Sequence, residues 1–205
     1  VGSRPNIDET LKQKLKDKFI TSNEIFEFSQ LPKSLAVIGS GIIAIELAQA
    51  MQRLGVRTTM FARSQKVGAL TSPILQKLAQ EQFSKELNIK FKTLPNKFEI
   101  QADKIKINFT ENDQTKSIEV EYVLGATGRQ SNIDRLGFDQ LDSIFKDIKD
   151  LPIDKKTKQL ADLPIFIVGD AAPDAPIQHE AAHAGKQAVY NCLNYPDVKP
   201  IPTLT

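Results

Sequence analysis

Short apolar runs alternate with amphipathic stretches over residues 35–91, and this alternation predicts a parallel α/β sheet. The runs Leu35–Ile38, Val56–Phe61 and Ile89–Phe91 have the length and continuity of strands that are buried on both faces. The segments between them carry apolar residues at helical spacing and predict two helices, the second over Pro73–Leu87. The order strand, helix, strand, helix, strand implies parallel strands with right-handed crossovers.

Both helices are expected to pack on the sheet through apolar stripes. The inward-facing positions are Ala44, Leu47, Ala48, Met51 and Leu54 in the first helix, and Leu75, Leu78 and Phe83 in the second.

The periodicity changes after residue 91. Three short alternating runs between residues 98 and 122 predict an antiparallel meander, with a hairpin at Glu111–Gln114. Tyr122–Gly128 is expected to return to the sheet as a buried strand. Leu163–Asp170 predicts a further buried strand, and Ile177–Leu193 a final helix. The fold class is therefore α/β: a Rossmann-like parallel sheet with helices and an inserted antiparallel meander.

Composition narrows the function classes. The chain has 205 residues, 40% of them apolar, and a net charge of +2, which gives no indication of nucleic-acid binding. No apolar run has the length of a membrane span, and the single cysteine, Cys192, excludes an internal disulfide. A cytoplasmic location is expected by default. The start at Val1 predicts a piece of a longer chain.

The candidate chemistry begins at the first turn of the sheet. Gly39, Ser40 and Gly41, followed by Ala44, form a G-x-G-x-x-A motif between a strand and a helix. In such a motif the first glycine allows the turn, the second lets the backbone approach a pyrophosphate, and the third small residue lets the helix pack on the strand. The helix N-terminus also favours an anion. The motif predicts dinucleotide binding.

Four segments in this order resemble the flavoprotein pyridine nucleotide-disulfide oxidoreductases, and dihydrolipoamide dehydrogenases in particular. They are Val1–Pro5, Gly39–Glu46, Ala126–Arg129 and Phe166–Asp170. The run Pro176–Gly185 is similar to a helix of the FAD domain in that family.

The resemblance implies an enzyme that transfers hydride between NAD(P)H and FAD, of which this chain is one part. Residues 32–127 would form the NAD(P)-binding domain, and residues 1–31 and 128–205 would be pieces of the FAD domain. The expected partners are the dinucleotide cofactors, the rest of the FAD domain and a C-terminal interface domain, in a homodimer. Neither nucleic acid nor a membrane is expected as a partner. No catalytic residue is expected here, so the chain by itself is expected to be inactive.

The resemblance also implies roles for single residues. Glu46 would lie beside the nicotinamide, and Ile42 or Ile43 would occupy a gating position over the flavin. Gly128 would approach the nicotinamide side of the cofactor. The alternatives are a carboxylate that stabilises the helix N-terminus, for Glu46, and plain packing, for the isoleucines.

Two further residues are assigned to FAD by the same resemblance. Asp170 would bind the ribityl chain, and the backbone near Gln178 would lie close to the flavin. The alternative for Asp170 is a turn cap. With only part of the flavin site in this chain, Asp170 is expected to be solvated.

The end of the second strand bears on the choice of nicotinamide cofactor. NAD-binding domains place an acid there to bind the ribose 2′-OH, but this strand ends in Ala62 and Arg63, with Lys66 close by. An arginine suits a 2′-phosphate because it forms charge-assisted hydrogen bonds. The sequence favours NADP(H) over NAD(H), and the alternative is a solvated surface charge.

Two other functions stay open. One is a stand-alone dinucleotide-binding module without turnover. The other is a zinc hydrolase, because His179, Glu180 and His183 form an H-E-x-x-H sequence on a predicted helix. The lack of a third His or Glu ligand downstream argues against zinc.

Overall fold

The computed structural model describes residues 1–140, 150–172 and 178–200. The elements, in chain order, are β1 (Ser3–Pro5), α1 (Glu9–Leu15), β2 (Phe19–Ile20), β3 (Ser34–Ile38), α2 (Ile42–Arg53), β4 (Arg57–Ala62), α3 (Pro73–Glu86), β5 (Asn88–Phe91), β6 (Pro95–Gln101), β7 (Lys104–Glu111), β8 (Gln114–Val120), β9 (Tyr122–Gly125), β10 (Arg129–Ser131) and α4 (Gln178–Leu193). Short 3₁₀ turns lie at Lys16–Lys18, Glu24–Glu27, Asn132–Arg135, Phe138–Gln140 and Gly169–Ala171.

The chain divides into two compact units. One contains Pro5–Gly128, and the other contains Val1–Arg4 together with Arg129–Thr205. Residues 5–31 therefore cluster with the glycine motif, because β2 is an edge strand of the same sheet. The assignment of 32–127 to a nicotinamide cofactor, and of the flanking residues to FAD, stays a prediction.

The unit Pro5–Gly128 is built on a five-stranded parallel sheet, which confirms the predicted fold class. Its strand order is β2-β9-β3-β4-β5, and every pairing is parallel. The meander β6-β7-β8 is antiparallel, as the period-two pattern predicts. The hairpin at Glu111–Gln114 is also confirmed, with both central residues, Asn112 and Asp113, at positive φ.

The sheet is covered on both faces, which explains its continuous apolar strands. Alternate residues of β3 enter different cores. Leu35 and Val37 pack with the inward side of α2, whereas Ala36 packs with the meander and with Leu15 of α1. Each strand therefore needs apolar side chains on both faces.

Three inward positions predicted for the helices are wrong. Leu54 is 60% exposed, because α2 ends at Arg53 and Leu54 occupies its C-cap. Leu75 and Leu78 are about half exposed. The buried face of α3 is rotated: it presents Gln76 to the interior, and the partly buried Ala79 and Phe83 pack against the core.

The second unit has its own small core, to which Ile133, Leu160 and Ile167 contribute. The predicted strand Leu163–Asp170 is wrong. This segment makes one isolated bridge, Gln159↔Phe166, and no regular strand runs beside it in the described part of the chain. It folds back on residues 158–161 as an irregular hairpin. The last predicted helix is confirmed as α4, although its predicted first residue, Ile177, lies outside the described residues.

Candidate functional site

The first glycine of the motif, Gly39, lies where the ends of β3, β4 and β9 come together. Gly39 has φ +132°, and its N–H donates to the Phe61 carbonyl at 2.9 Å. A Cβ at this position would lie 2.2 Å from the Ala126 carbonyl oxygen and 3.6 Å from the Ala44 Cβ. Gly39 is therefore required by its conformation and by close packing of β3, β4 and β9.

The second glycine faces open space. Gly41 is the N-cap of α2, with φ −72° and ψ −179°, and no side chain caps the helix. A Cβ built there meets nothing within 4 Å, so neither conformation nor protein packing demands a glycine. The first N–H groups of a helix lack intrahelical partners, and the positive end of the helix dipole lies there. This turn presents backbone donors to a region that an anion can approach.

The loop after β4 closes one side of the turn. The Gly68 N–H donates to the Ser40 carbonyl at 2.8 Å. Gln76 holds the same loop from within: its Oε1 accepts from the Val67 N–H at 2.9 Å, and its Nε2 donates to the Val67 and Leu70 carbonyls. The loop is therefore ordered by a buried amide of α3.

Sequence reasoning missed Gln76. A signal was present, because Gln76, Ala79 and Phe83 share one helical face, but Leu75 and Leu78 beside that face gave a stronger apolar pattern with Phe83.

The predicted residues of α2 lie on its first two turns. Ile42 is 54% exposed, Ile43 is partly buried against the core, and Glu46 is exposed. No hydrogen bond or ion pair joins the Glu46 side chain to another described residue. An exposed carboxylate near a helix N-terminus is favoured by the dipole in any case.

The residues at the end of β4 differ in accessibility. Ala62 is fully buried, and its carbonyl accepts from the Thr93 N–H at 3.0 Å. Arg63 and Lys66 are exposed. The Lys66 N–H donates to the Ser64 hydroxyl at 3.1 Å. The two cationic side chains thus lie at the carboxyl edge of the sheet, as the strand pattern predicts.

Gly128 also follows a strand at this edge. It lies three residues after β9, has φ +117°, and meets nothing within 4 Å of an added Cβ. Its carbonyl accepts from the Asn6 N–H at 2.9 Å. The structure therefore brings the glycine motif, the first turns of α2, residues 62–66 and Gly128 to one edge of one sheet.

Asp170 and Gln178 belong to the other unit, in which Asp170 is partly solvated and also has a protein partner. The Ser3 hydroxyl donates to Asp170 Oδ2 at 2.7 Å, and Arg129 Nε, 3.8 Å from the same oxygen, donates to the Ser3 hydroxyl at 2.6 Å. The Asp170 side chain is 37% exposed. Gln178 is exposed at the first residue of α4.

The H-E-x-x-H sequence lies on α4 as predicted. His179 is exposed, and Glu180 and His183 are partly buried. Among the described residues, no group of three or more His, Cys, Asp and Glu side chains is placed to hold a metal ion. Nothing in this arrangement supports the zinc hydrolase alternative.

No helix in the described ranges is both long enough and apolar enough to cross a membrane.

Comparison with known proteins gives one family. The family model described as pyridine nucleotide-disulphide oxidoreductase matches residues 1–188. Dihydrolipoyl dehydrogenase of Chlamydia pneumoniae is 30% identical over 182 residues, which is 88% of this chain and 38% of that protein. The enzyme of that name from Geobacillus stearothermophilus is 27% identical over 197 residues, which is 95% of this chain and 41% of that protein.

Solved structures share the fold. LpdA from Mycobacterium tuberculosis superposes with a TM-score of 0.78 at 21% identity, over 98% of this chain and 43% of that chain. The flavoprotein disulfide reductase RclA from Escherichia coli gives 0.77 at 14% identity, over 96% of this chain and 44% of that chain. The chain thus spans about two fifths of the length of the proteins that it matches.

Proposed function

The chain belongs to the pyridine nucleotide-disulphide oxidoreductase family, and from this premise we propose that residues 32–127 bind the nicotinamide dinucleotide of a dihydrolipoyl dehydrogenase-like enzyme. One observation carries the proposal: the open space in front of Gly41. A built Cβ meets nothing there within 4 Å, and no side chain caps α2. Neither the backbone conformation nor protein packing requires a glycine at this uncapped helix N-terminus. A pyrophosphate that approaches the backbone closely would require one.

The residues around the turn fit such a ligand. The first N–H groups of α2 would donate to pyrophosphate oxygens, and Gly39 would keep the turn tight enough to aim them. The chemistry supplied in the complete enzyme is hydride exchange between the nicotinamide and FAD. This chain's part is to bind and orient. Glu46 would lie beside the nicotinamide, Ile42 or Ile43 would occupy the gating position over the flavin, and Gly128 would approach the nicotinamide side of the cofactor.

Asp170 would bind the ribityl chain of FAD, with Gln178 near the flavin. The hydrogen bond from Ser3 and the nearby Arg129 guanidinium support this assignment, because they hold the Asp170 carboxylate in one orientation. The remainder of the FAD domain, a C-terminal interface domain and a second subunit would complete the enzyme.

The nicotinamide cofactor is proposed to be NADP(H). NAD-binding domains use an acid at the end of the second strand for the 2′-OH, whereas here that position is the buried Ala62, followed by the exposed Arg63. A 2′-phosphate carries about two negative charges at neutral pH. An exposed guanidinium with no acidic neighbour in sequence favours it.

Two calorimetric titrations of the 205-residue chain, with NADPH and with NADH, test the proposal. We expect both to bind, with NADPH tighter, and Arg63→Ala to weaken NADPH about tenfold while sparing NADH. Arg57→Ala is the matched control, since Arg57 is the first residue of the same strand, at its opposite end. Absence of binding in a folded chain overturns the dinucleotide assignment, and equal weakening of both ligands overturns the NADP(H) preference.

A further inference from the structure

A second loop reaches the edge where Arg63 lies. Strands β4 and β5 are parallel neighbours, and their last residues, Ala62 and Phe91, are paired. The segments that follow the two strands therefore leave the sheet side by side. The Thr93 N–H then donates to the Ala62 carbonyl at 3.0 Å, and the Lys92 N–H donates to the Ser64 carbonyl at 3.5 Å. The backbone of Lys92 is thus attached to the residue that follows Arg63.

Lys92 has a backbone conformation that lysine rarely adopts. Its φ is +52°, in the left-handed region that disfavours residues with a Cβ. Lys92 lies in a turn, and positive φ occurs also at Lys16, Lys158, Ala161 and the meander turn residues Ala102, Asn112 and Asp113. Lys92 lies in the connection between β5 and β6, which is joined to Ser64 through the Lys92 N–H and to Ala62, the last residue of β4, through the Thr93 N–H. The turn therefore fixes the backbone of Lys92 beside residues 62–64.

The charges around this edge are unbalanced. Lys90 lies in β5, and its Nζ is 3.1 Å from Oε1 of Glu111. The other oxygen of that carboxylate accepts a hydrogen bond from Lys116 Nζ at 2.6 Å. These hydrogen bonds hold the pKa of Glu111 below its usual value, so that carboxylate is already engaged. By contrast, Arg63, Lys66 and Lys92 are exposed, and no hydrogen bond or ion pair joins their side chains to another described residue. No acid occurs between Glu46 and Glu81.

We propose that Lys92 is a third cation of a 2′-phosphate site, with Arg63 and Lys66, so that preference for NADP(H) is set by the loops after two neighbouring strands. This inference rests on the dinucleotide binding proposed above. An arginine provides paired donors to phosphate oxygens, and each lysine adds a point charge. All three groups are exposed, so their attraction for the phosphate is screened by salt.

Titration of the 205-residue chain with NADPH, NADH and 2′,5′-ADP tests the inference. Lys92→Ala is expected to weaken NADPH and 2′,5′-ADP about fivefold and to leave NADH unchanged, because only the 2′-phosphate ligands lose an ionic contact. Lys92→Gln provides a second variant, which removes the charge but keeps a polar side chain only one atom shorter. Lys85→Ala is the control, since Lys85 is an exposed lysine that lines a cavity at the amino edge of β4 and β5. Circular dichroism checks the fold of each variant.

The outcomes separate the two proposals. If the wild-type chain binds neither dinucleotide, both fail. If it binds both and Arg63→Ala removes the preference, but Lys92→Ala and Lys92→Gln behave like Lys85→Ala, only the role of Lys92 is overturned. A Lys92 variant that weakens NADH as much as NADPH also overturns it. A preference that declines with added potassium chloride in the wild type, and declines less steeply in Lys92→Ala, supports it.

Discussion

A Cβ added to Gly39 would lie 2.2 Å from the carbonyl oxygen of Ala126. Gly39 and Ala126 directly follow Ile38 and Gly125, the last paired residues of β3 and β9, so neither backbone can move away without disturbing that pairing. The turn that presents α2 to a ligand is thus set by contact between two main chains.

Gly39→Ala is therefore expected to lower the free energy of unfolding by about 3 kcal/mol, from the backbone clash and the positive φ together. Urea denaturation measures the change. Gly41→Ala is the matched control: its φ is −72° and its Cβ meets nothing within 4 Å, so a change within about 1 kcal/mol is expected. Equal destabilisation by the two substitutions would contradict the steric account of Gly39.

Gly41→Ala is expected to act on binding. Its methyl group would occupy the space through which a pyrophosphate approaches the helix N-terminus, so NADPH affinity should fall about tenfold or more. Calorimetric titration of Gly41→Ala with NADPH measures this affinity, and an unchanged urea midpoint shows that the variant is still folded. An unchanged affinity would mean that the ligand does not approach the backbone at Gly41.

Gly125→Ala is expected to destabilise the sheet by about 2 kcal/mol through overpacking. A Cβ there would lie 2.4 Å from Cζ of Phe19, whose ring is buried. Phe19→Leu removes that ring atom, so the double variant should lose less stability than the sum of the two single variants. Additive losses would show that the Phe19 ring is not the cause.

Gln76→Leu is expected to cost about 1–3 kcal/mol, because the amide that satisfies Val67 and Leu70 is lost within a buried site. The Val67 amide, which donates to Gln76, should also exchange with solvent faster. Lys77→Ala, at the next and exposed position, is the control. Unchanged exchange at Val67 would show that the loop after β4 is held by other contacts.

The Arg4–Asp134 pair predicts a pH dependence. Arg4 Nη1 donates to Asp134 Oδ1 at 2.8 Å, and hydrogen bonding from Arg4 lowers the pKa of Asp134. A carboxyl whose folded pKa is depressed contributes stability above its unfolded pKa, about 3.9. That contribution declines as the pH falls below this value, and it is lost once the pH passes the folded pKa.

Titration of the Asp134 carboxyl by NMR measures this shift directly. We expect its pKa to return toward the ordinary value in Arg4→Met, which removes the guanidinium and keeps much of the side-chain volume. Gln130→Ala is the control, because Gln130 also donates to Asp134, at 3.2 Å, but carries no charge. A pKa that is the same in the wild type and in Arg4→Met would contradict the pairing.

The sequence alone was sufficient for the parallel sheet, the meander and the glycine turn. These features follow from local patterns: continuous apolar runs for Leu35–Ile38, strict alternation for Lys104–Phe109, and Gly39 and Gly41 between a strand and a helix. The positions of Arg63 and Lys66 at the sheet edge followed from the same logic, because the carboxyl ends of parallel strands share one edge.

Tertiary structure decided which face of α3 is buried, whether Leu163–Asp170 pairs as a strand, and which loops meet at the candidate site. Leu75 and Leu78 carry the apolar signal, yet Gln76 is the buried residue, and its amide satisfies the backbone of the loop that leads into α3. Lys92 comes beside residues 62–64 only through the pairing of β4 with β5. Periodicity records the apolar character of each position, whereas hydrogen bonds between distant backbones depend on how the elements pack.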